Sequence, residues 1–294
     1  MPSYDKLWST GALACEQLRE RTSMLSGSLV LTIILAMTGL LSCQSPEALL
    51  HDRIASNDSE SRNDCSSDRE SFSLKHEDLT VINTGGGVLF TAGMSIDADG
   101  APNAYAPHNR GLDYTANARG AGGWVALVTD DKGRPVVQKR GRYRGYYVST
   151  TSLEQRTVRD ERNPKRYVDA TKIPYIALPE DFAATFGIGI GDLALVTNQV
   201  NGRSAYAIYA DVGPNGRIGE GSIALAKALG MPANPRHDGV AGGVTYLIFP
   251  GSAPRAKDGV TVRNIKSSGA RRYRQWGGKQ KLRTCEAPLL APEH

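Results

Sequence analysis

Two carboxylic acids stand nine residues apart in the stretch SAYAIYADVGPNGRIGEGSIALAKA, residues 204–228. Asp211 follows an alternating pattern that predicts a strand, and it precedes a turn rich in glycine, proline and asparagine. Glu220 lies between two glycines, just before Ser222, a predicted N-cap, and an apolar helix over residues 223–229. Such a pair can act as general acid and general base. Each carboxylate can equally bond its own backbone, Asp211 in the turn and Glu220 at the helix start.

Two further carboxylates, Asp97 and Asp99, lie in the extended segment SIDADGAPNAY, residues 95–105. Side chains two apart share one side of a strand, so the two acids could form an anionic patch for a protonated amine. The alternative is a hairpin turn at Asp99-Gly100. A calcium loop is rejected because Ala101 occupies the next alternate ligand position. Cysteine and histidine spacing also lacks a zinc pattern, so the sequence predicts no metal and no cofactor.

The chain resembles the chitosanases of glycoside hydrolase family 75. The segment ADVGP followed by IGEGSIALA is similar to the active-site segment of that family. Further similar blocks follow in the expected order: SIDADGAPNAY (95–105), GLD (111–113), YYVSTTSL (146–153), RYVDATKIPYIALP (166–179), GDLALV (191–196) and GGVTYLIFPGS (242–252). The resemblance covers roughly residues 88–252. The essential Asp and Glu of the family match Asp211 and Glu220.

This resemblance implies an endo-acting hydrolase that cleaves β-1,4-linked glucosamine in chitosan with inversion. We assign Glu220 as the acid, because it abuts an apolar helix, and Asp211 as the base, because its turn carries Asn215 and Arg217. The reverse assignment stays open. The predicted substrate-binding residues are Asp97, Asp99, Tyr105, Asp113 and Tyr175. Tyr175 could stack on a sugar ring or belong to the core.

Short segments with turn signals predict a mainly β domain with about eight strands and one packed helix. The candidates include two strands around the glycines at 85–87, a hairpin at Asn201-Gly202, and strands at 124–128, 146–150, 244–249 and 260–262. The family resemblance implies a compact double-psi-like β-barrel with about six core strands.

Composition divides the chain into a signal peptide (1–43), a disordered tether (44–75), a catalytic domain (76–252) and a basic tail (253–294). Residues 76–252 carry 18 Lys/Arg and 17 Asp/Glu, whereas residues 253–294 carry 10 and 3. Chitosan is a polycation, so a nearly neutral domain must bind it through local carboxylates. No nucleic-acid-binding signature accompanies the basic residues, and we expect a monomer that does not bind nucleic acid.

The N-terminal segment contains a 17-residue apolar run, residues 25–41, that leads into Leu40-Leu41-Ser42-Cys43. This pattern resembles a bacterial lipoprotein signal, in which Cys43 carries the lipid. The alternatives are an uncleaved anchor and an ordinary secretory peptide. All of them place the domain outside the cytoplasm, on a membrane or secreted. Cys65 and Cys285 flank the domain and could pair in an oxidising compartment.

Two other functions stay open at this point. The domain could be a non-enzymatic module that holds cell-envelope glycan, with the basic tail gripping anionic polymers. It could also hydrolyse a different wall glycan by the same chemistry. An acid–base pair favours an enzyme, because a binding module needs no such pair.

Overall fold

The computed structural model describes residue 65 and residues 68–75, 78–254 and 260–290. The predicted signal peptide and Cys43 lie outside these residues. The described part contains ten strands: β1 (Asp68–Ser73), β2 (Asp78–Asn83), β3 (Val88–Asp97), β4 (Arg119–Gly120), β5 (Gly123–Trp124), β6 (Tyr175–Leu178), β7 (Leu193–Asn198), β8 (Ser204–Val212), β9 (Glu220–Ser222) and β10 (Gly239–Phe249).

Four α-helices accompany the strands: α1 (Glu180–Thr185), α2 (Ile223–Ala228), α3 (Val262–Trp276) and α4 (Gly278–Leu290). Short 3-10 helices occur at Pro107–Asn109, Thr115–Ala118 and Pro164–Arg166. No helix in the described ranges is both long and apolar enough to cross a membrane.

Six strands close into a barrel in the order β3-β10-β7-β8-β6-β9, with β9 pairing back to β3. The β1–β2 hairpin extends the sheet beyond β3. Two of the barrel pairs, β3–β9 and β6–β8, are parallel, and the others are antiparallel. Closure gives every barrel strand two partners and leaves no open edge within the ring. The prediction of a mainly β fold built on a six-stranded barrel is confirmed.

Short sequence signals correctly mark two turns, a helix cap and the start of a strand. The glycines at 85–87 join β2 to β3, and the hairpin at Asn201-Gly202 joins β7 to β8. The hydroxyl oxygen of Ser222 accepts a hydrogen bond from the Leu225 amide at 3.1 Å and caps α2. Pro174 directly precedes β6, where its missing amide hydrogen removes no bond from the ladder.

Strand β8 contains a bulge beside its parallel partner β6. Tyr209 pairs with Ile176 and Asp211 pairs with Ala177, so Ala210 is an extra residue without a register partner. The carbonyl oxygen of Ala210 instead accepts a hydrogen bond from the Leu153 amide at 2.8 Å. An extra residue reverses the alternation of side chains beyond it. The bulge therefore turns Asp211 to the face of β6 that carries Ala177.

The strands predicted at 124–128 and 146–150 are wrong as continuous strands. This region forms only isolated bridges, such as Leu127 with Ser149 and Val137 with Tyr147, besides the two-residue strands β4 and β5. The side-chain nitrogen Nε2 of Gln138 donates to the backbone carbonyl oxygens of Pro102 and Tyr147, at 2.6 and 2.9 Å. Hydrogen bonds from side chains thus satisfy backbone carbonyl oxygens that would otherwise bond to a neighbouring strand.

The strand predicted at 260–262 is also wrong, because Thr261 caps α3: its hydroxyl oxygen accepts from the Asn264 amide at 3.2 Å. The single predicted helix, at 223–229, is therefore one of four α-helices within the described ranges. Helices α3 and α4 are fixed to the barrel, since the Trp276 indole nitrogen donates to the Thr84 hydroxyl oxygen at 2.8 Å. A disulfide also joins Cys65 to Cys285, with the Cα atoms 5.1 Å apart.

Gly219 holds β9 close to β3 at a point where no side chain fits. Its φ is +89°, and a Cβ atom there would lie 2.3 Å from the Gly93 carbonyl oxygen. We expect Gly219→Ala to lower the free energy of unfolding by about 3 kcal/mol, through backbone strain and the clash. Gly187→Ala is the matched control: φ is +63° with nothing within 4 Å, so it should cost about 1 kcal/mol. Equal losses in denaturant titrations would contradict this account of Gly219.

Candidate active site

Strand β6 lies between β8 and β9 and separates the two predicted catalytic acids. Ala177 pairs with Asp211 on one side and with Glu220 on the other. Residues in register share a face of the sheet, so both carboxylates project on the side of Ala177. Their Cα atoms stand about two strand spacings apart, or about 10 Å.

Strand β3 adds a third acid from the other side of β9. Ser95 pairs with Glu220, and Asp97, two residues further along β3, shares the face of Ser95. The Asp99 amide donates to Asp97 Oδ1 at 2.7 Å, which folds the chain back directly after the strand. Four carboxyl groups from three strands and one turn therefore meet at one place, and we call Asp97, Asp99, Asp211 and Glu220 the acid cluster.

One carboxylate oxygen from each of Asp97, Asp99 and Asp211 lies within 4.8 Å of the other two. Oxygen ligands at this separation could bridge a hard cation. They are equally close enough to share a proton, because like charges at such a distance raise one another's pKa. The calcium loop rejected from the sequence would have used consecutive alternate positions, whereas this grouping takes one of its acids from β8.

Burial and mutual repulsion raise the pKa of every member of the acid cluster. Burial is the largest cause for each of them. Burial raises the pKa of Asp97 to about 6. Burial and the Asp97 charge together raise the pKa of Asp211 to about 7. The pKa of Glu220 rises to about 8, through burial and the charges of Asp97 and Asp211. The pKa of Asp99 is raised well above its ordinary value by burial and by Asp97. The cluster therefore holds protons near neutral pH.

Asp211 accepts three hydrogen bonds, all at Oδ1. The Ser152 amide and hydroxyl donate at 3.0 and 2.8 Å, and the Val212 amide donates at 2.9 Å. These bonds favour the ionised carboxylate and lower its pKa against the effect of burial. Among the residues that the structure describes, none donates to Oδ2. These three bonds offset part of the effect of burial, and they leave Oδ2 as the oxygen available to take a proton.

Glu220 has a different environment. No residue in the described ranges donates a hydrogen bond to its carboxylate, and a Cβ atom on Gly213 would lie 3.2 Å from Oε2. Arg217, which the sequence analysis placed near Asp211, acts instead on Glu220 and lowers its pKa, but this effect is smaller than burial and the neighbouring acids. Lack of donors favours the protonated form. Glu220 is thus the member suited to give a proton.

Tyr175 belongs to the core, one of the two alternatives that the sequence left open for it, and Tyr105 is buried as well. Tyr175 is 0% exposed and Tyr105 is 2% exposed, so neither ring has a free face on which a sugar could stack. Both instead support the acid cluster from the core. The Tyr105 hydroxyl donates to Asp99 Oδ1 at 2.6 Å, and the Tyr175 hydroxyl donates to the Asp99 carbonyl oxygen at 3.0 Å.

Asp113 lies next to the acid cluster and is buried. The side-chain nitrogen Nδ2 of Asn117 donates to both carboxylate oxygens of Asp113, at 2.9 and 3.0 Å. Its charge raises the pKa of Asp97 and of Glu220. Asp113 is therefore close enough to act on the cluster electrostatically, while its own oxygens are engaged by the protein.

Ser152 and the bulged Ala210 belong to the site although neither was predicted. The serine lies in the loop after residue 150, far from Asp211 in sequence, and nothing in its local pattern marks it. The bulge creates the link: the free carbonyl of Ala210 binds the Leu153 amide, which brings Ser152 against Asp211. This contact can be recognised only from the structure, because it depends on how β6 and β8 pair.

One pocket of 410 Å³ borders the site without containing the acid cluster. It is lined in part by Leu112, which precedes Asp113, and by Ile223, which follows Ser222. A second pocket, of 540 Å³, is formed by the loop at 155–172 and Val260.

One protein family matches this chain: the fungal chitosanases of glycosyl hydrolase group 75, over residues 94–275. The matched range contains the acid cluster and extends from within β3 into α3, past the predicted boundary at residue 252. No curated protein matches the chain.

We predict that Ser152→Ala raises the pKa of Asp211 by about one unit, because a hydrogen bond to a charged group contributes about 1.5–3 kcal/mol and the backbone bonds remain. Ser152→Thr keeps the hydroxyl and should leave the pKa close to that of the parent. Carbon-13 NMR titration of the aspartate carboxyl groups measures both. An unchanged Asp211 titration in the alanine variant would show that the hydroxyl does not stabilise the anion.

Proposed function

The chain belongs to the fungal chitosanase family of glycosyl hydrolase group 75 and is a glycoside hydrolase of the chitosanase type, and from this premise we propose that it cleaves β-1,4-glucosamine linkages within chitosan chains, with inversion. The observation that carries the proposal is the contrast between two carboxyl groups flanking one residue of β6. Asp211 accepts three hydrogen bonds, whereas no described residue donates to Glu220.

In the proposed reaction Glu220 begins protonated and gives its proton to the glycosidic oxygen of the leaving sugar. Asp211 begins ionised and takes a proton from water through Oδ2, while the water oxygen bonds to the anomeric carbon on the opposite face. The bond from that carbon to the glycosidic oxygen breaks in the same step. Exchange with solvent then returns both carboxyl groups to their starting states.

Inversion is supported by the position of β6 between the two acids. An inverting enzyme needs room for a water molecule beside the sugar, with carboxyl groups about 6.5–9.5 Å apart, against about 5–5.5 Å for retention. Two strand spacings put the Cα atoms of Asp211 and Glu220 about 10 Å apart. With a whole strand between the two acids, we propose that a water molecule activated by Asp211, and not the carboxylate itself, attacks the sugar.

We propose that Asp97 and Asp99 hold the ammonium group of a glucosamine unit. An ammonium ion within reach would favour the ionised form of these acids and offset the repulsion that raises their pKa values. This pairing would select amino sugars over neutral or acetylated ones, because a buried carboxylate gains little from an uncharged partner. It also fits a domain whose net charge is too small to attract a polycation at long range.

We also propose, from the sequence alone, that the enzyme is exported and anchored through a lipid on Cys43. The apolar run at 25–41, which leads into Ser42-Cys43, supports this interpretation, and an uncleaved anchor and an ordinary secretory peptide are the alternatives. The mass of the mature chain separates the lipidated form from both, since only that form begins at a lipidated Cys43.

Glu220→Gln and Asp211→Asn should each lower chitosan hydrolysis by at least about 100-fold, because each removes one of the two proton transfers. Both replacements keep the shape of the side chain. Exposed Asp131→Asn is the control for loss of a carboxylate elsewhere. Proton NMR of the first product should show the α-anomer. A first product in the β-form would exclude inversion, and full activity in either variant would exclude the pair. Inactivity of the parent on chitosan would favour a glycan-binding module or another wall glycan as substrate.

Asp97→Asn should lower kcat/KM on chitosan by about 10–100-fold, since a charge-assisted contact contributes about 1.5–3 kcal/mol. The alkaline limb of the pH profile should also move to lower pH, because the Asp97 charge raises the pKa of Glu220. Thermal unfolding checks that the fold is intact. Parent-like kinetics on fully deacetylated chitosan would remove Asp97 from the substrate site.

A further inference from the structure

Helix α3 has a basic face opposite the face that packs on the barrel. Ile265, Gly269 and Trp276 recur at helical spacing and are buried, and Gly269 lies against the ring of Tyr206 on β8. Three exposed cations, Arg263, Arg271 and Arg274, stand on the opposite side of the helix, and exposed Lys266 stands at the edge of that side. We call these four residues the α3 basic face. They span about 16 Å along the helix axis.

Few acids offset these charges. Residues 262–290, which form α3 and α4, contain eight Lys/Arg and one acidic residue, Glu286. None of the ion pairs found among the described residues involves the α3 basic face. The face therefore presents uncompensated positive charge to its surroundings.

The helices that carry this charge are fixed in place and do not form a flexible tail. The Trp276 indole nitrogen donates to the Thr84 hydroxyl oxygen at 2.8 Å, and the buried Lys281 amine donates to the Thr84 carbonyl oxygen at 3.1 Å. The disulfide from Cys65 to Cys285 adds a covalent link to α4. A rigid, charged strip can bind a flat surface without first becoming ordered.

The proposed substrate cannot be the partner of this face, because chitosan is itself a polycation. We propose that the α3 basic face docks the domain on an anionic lipid surface. Phosphate headgroups complement it in charge, and a strip of basic residues is attracted to such a surface.

The sequence outside the described residues supports this partner. In the mature chain proposed above, only 21 residues, 44–64, separate the lipid-carrying Cys43 from Cys65, which is bonded to α4. Membrane attachment through a single apolar element is weak or unoriented, and a basic patch commonly supplies the second contact. A linker of this length can extend up to about 80 Å and so would leave the domain free to turn. The basic face would set its orientation.

The test is binding of the full chain to vesicles that contain phosphatidylglycerol, compared with purely phosphatidylcholine vesicles. In the first variant all four residues of the α3 basic face are replaced: Arg263→Gln, Lys266→Gln, Arg271→Gln and Arg274→Gln. The matched control removes the same number of exposed charges from the loop at 139–144: Lys139→Gln, Arg140→Gln, Arg142→Gln and Arg144→Gln. The neutral vesicles measure whatever the N-terminal anchor contributes alone.

We expect the α3 variant to bind anionic vesicles about 100-fold more weakly than the parent, and the loop variant to bind like the parent. Binding of the parent should weaken with added salt. Parent-like binding by the α3 variant, equal losses in both variants, or preference of the parent for single-stranded DNA over anionic vesicles would each overturn the proposal. Hydrolysis of soluble chitosan oligomers should be unchanged in the α3 variant. This keeps the result separate from the proposed catalytic function.

Discussion

The acid cluster contains more carboxyl groups than its surroundings can ionise, and this electrostatic constraint governs the rest of the site. Burial raises the pKa of Asp97 to about 6, of Asp211 to about 7 and of Glu220 to about 8. Groups whose pKa is higher in the folded chain stabilise it fully below their unfolded values, near 4, and that stabilisation is lost as pH rises through 6–8. The fold therefore becomes less stable over the range in which the site is proposed to work.

The barrel supplies what keeps these acids together. Strand β6 fixes the distance between Asp211 and Glu220, and β3 brings Asp97 to the far side of β9. The bulge at Ala210 is the least regular part of this arrangement and the one with the largest effect. It turns Asp211 towards the cluster and also recruits the loop that carries Ser152. One extra residue thus sets both the direction and the preferred protonation state of the proposed base.

The sequence predicts the parts of this site that depend on local signals. A strand, a turn and the Ser222 cap identify the segment of Asp211 and Glu220, and the end of a strand identifies Asp97. The bulge could not be predicted, because it exists only relative to β6, which is distant in sequence. Tyr175 shows the same limit: a tyrosine near a site suits a sugar platform or a core position, and only its complete burial decides between them.

The C-terminal helices were missed for a different physical reason. Val260-Thr261-Val262 is rich in β-branched residues and favours a strand, although Thr261 is also a good N-cap. The buried side of α3 includes Gly269, where Tyr206 approaches closely, so the apolar repeat that marks a helix is interrupted. The many arginines of α3 further weaken the periodic pattern of apolar residues in this segment. A helix that packs through one isoleucine, one glycine and one tryptophan leaves a weak signal in sequence.

The basic helices and the acid cluster lie at different places along β8, so they can act without cancelling each other. Tyr206, which contacts α3, is five residues before Asp211, or about 16 Å along a strand. The Debye length at physiological ionic strength is about 8 Å, so the charges of α3 are largely screened at the acids. A polycation can therefore enter at the acid cluster while a negatively charged surface is held at α3. Residues 76–252 are nearly neutral, so the positive charge at α3 comes from the helices that follow them and is separate from the acids in chain position as well as in space.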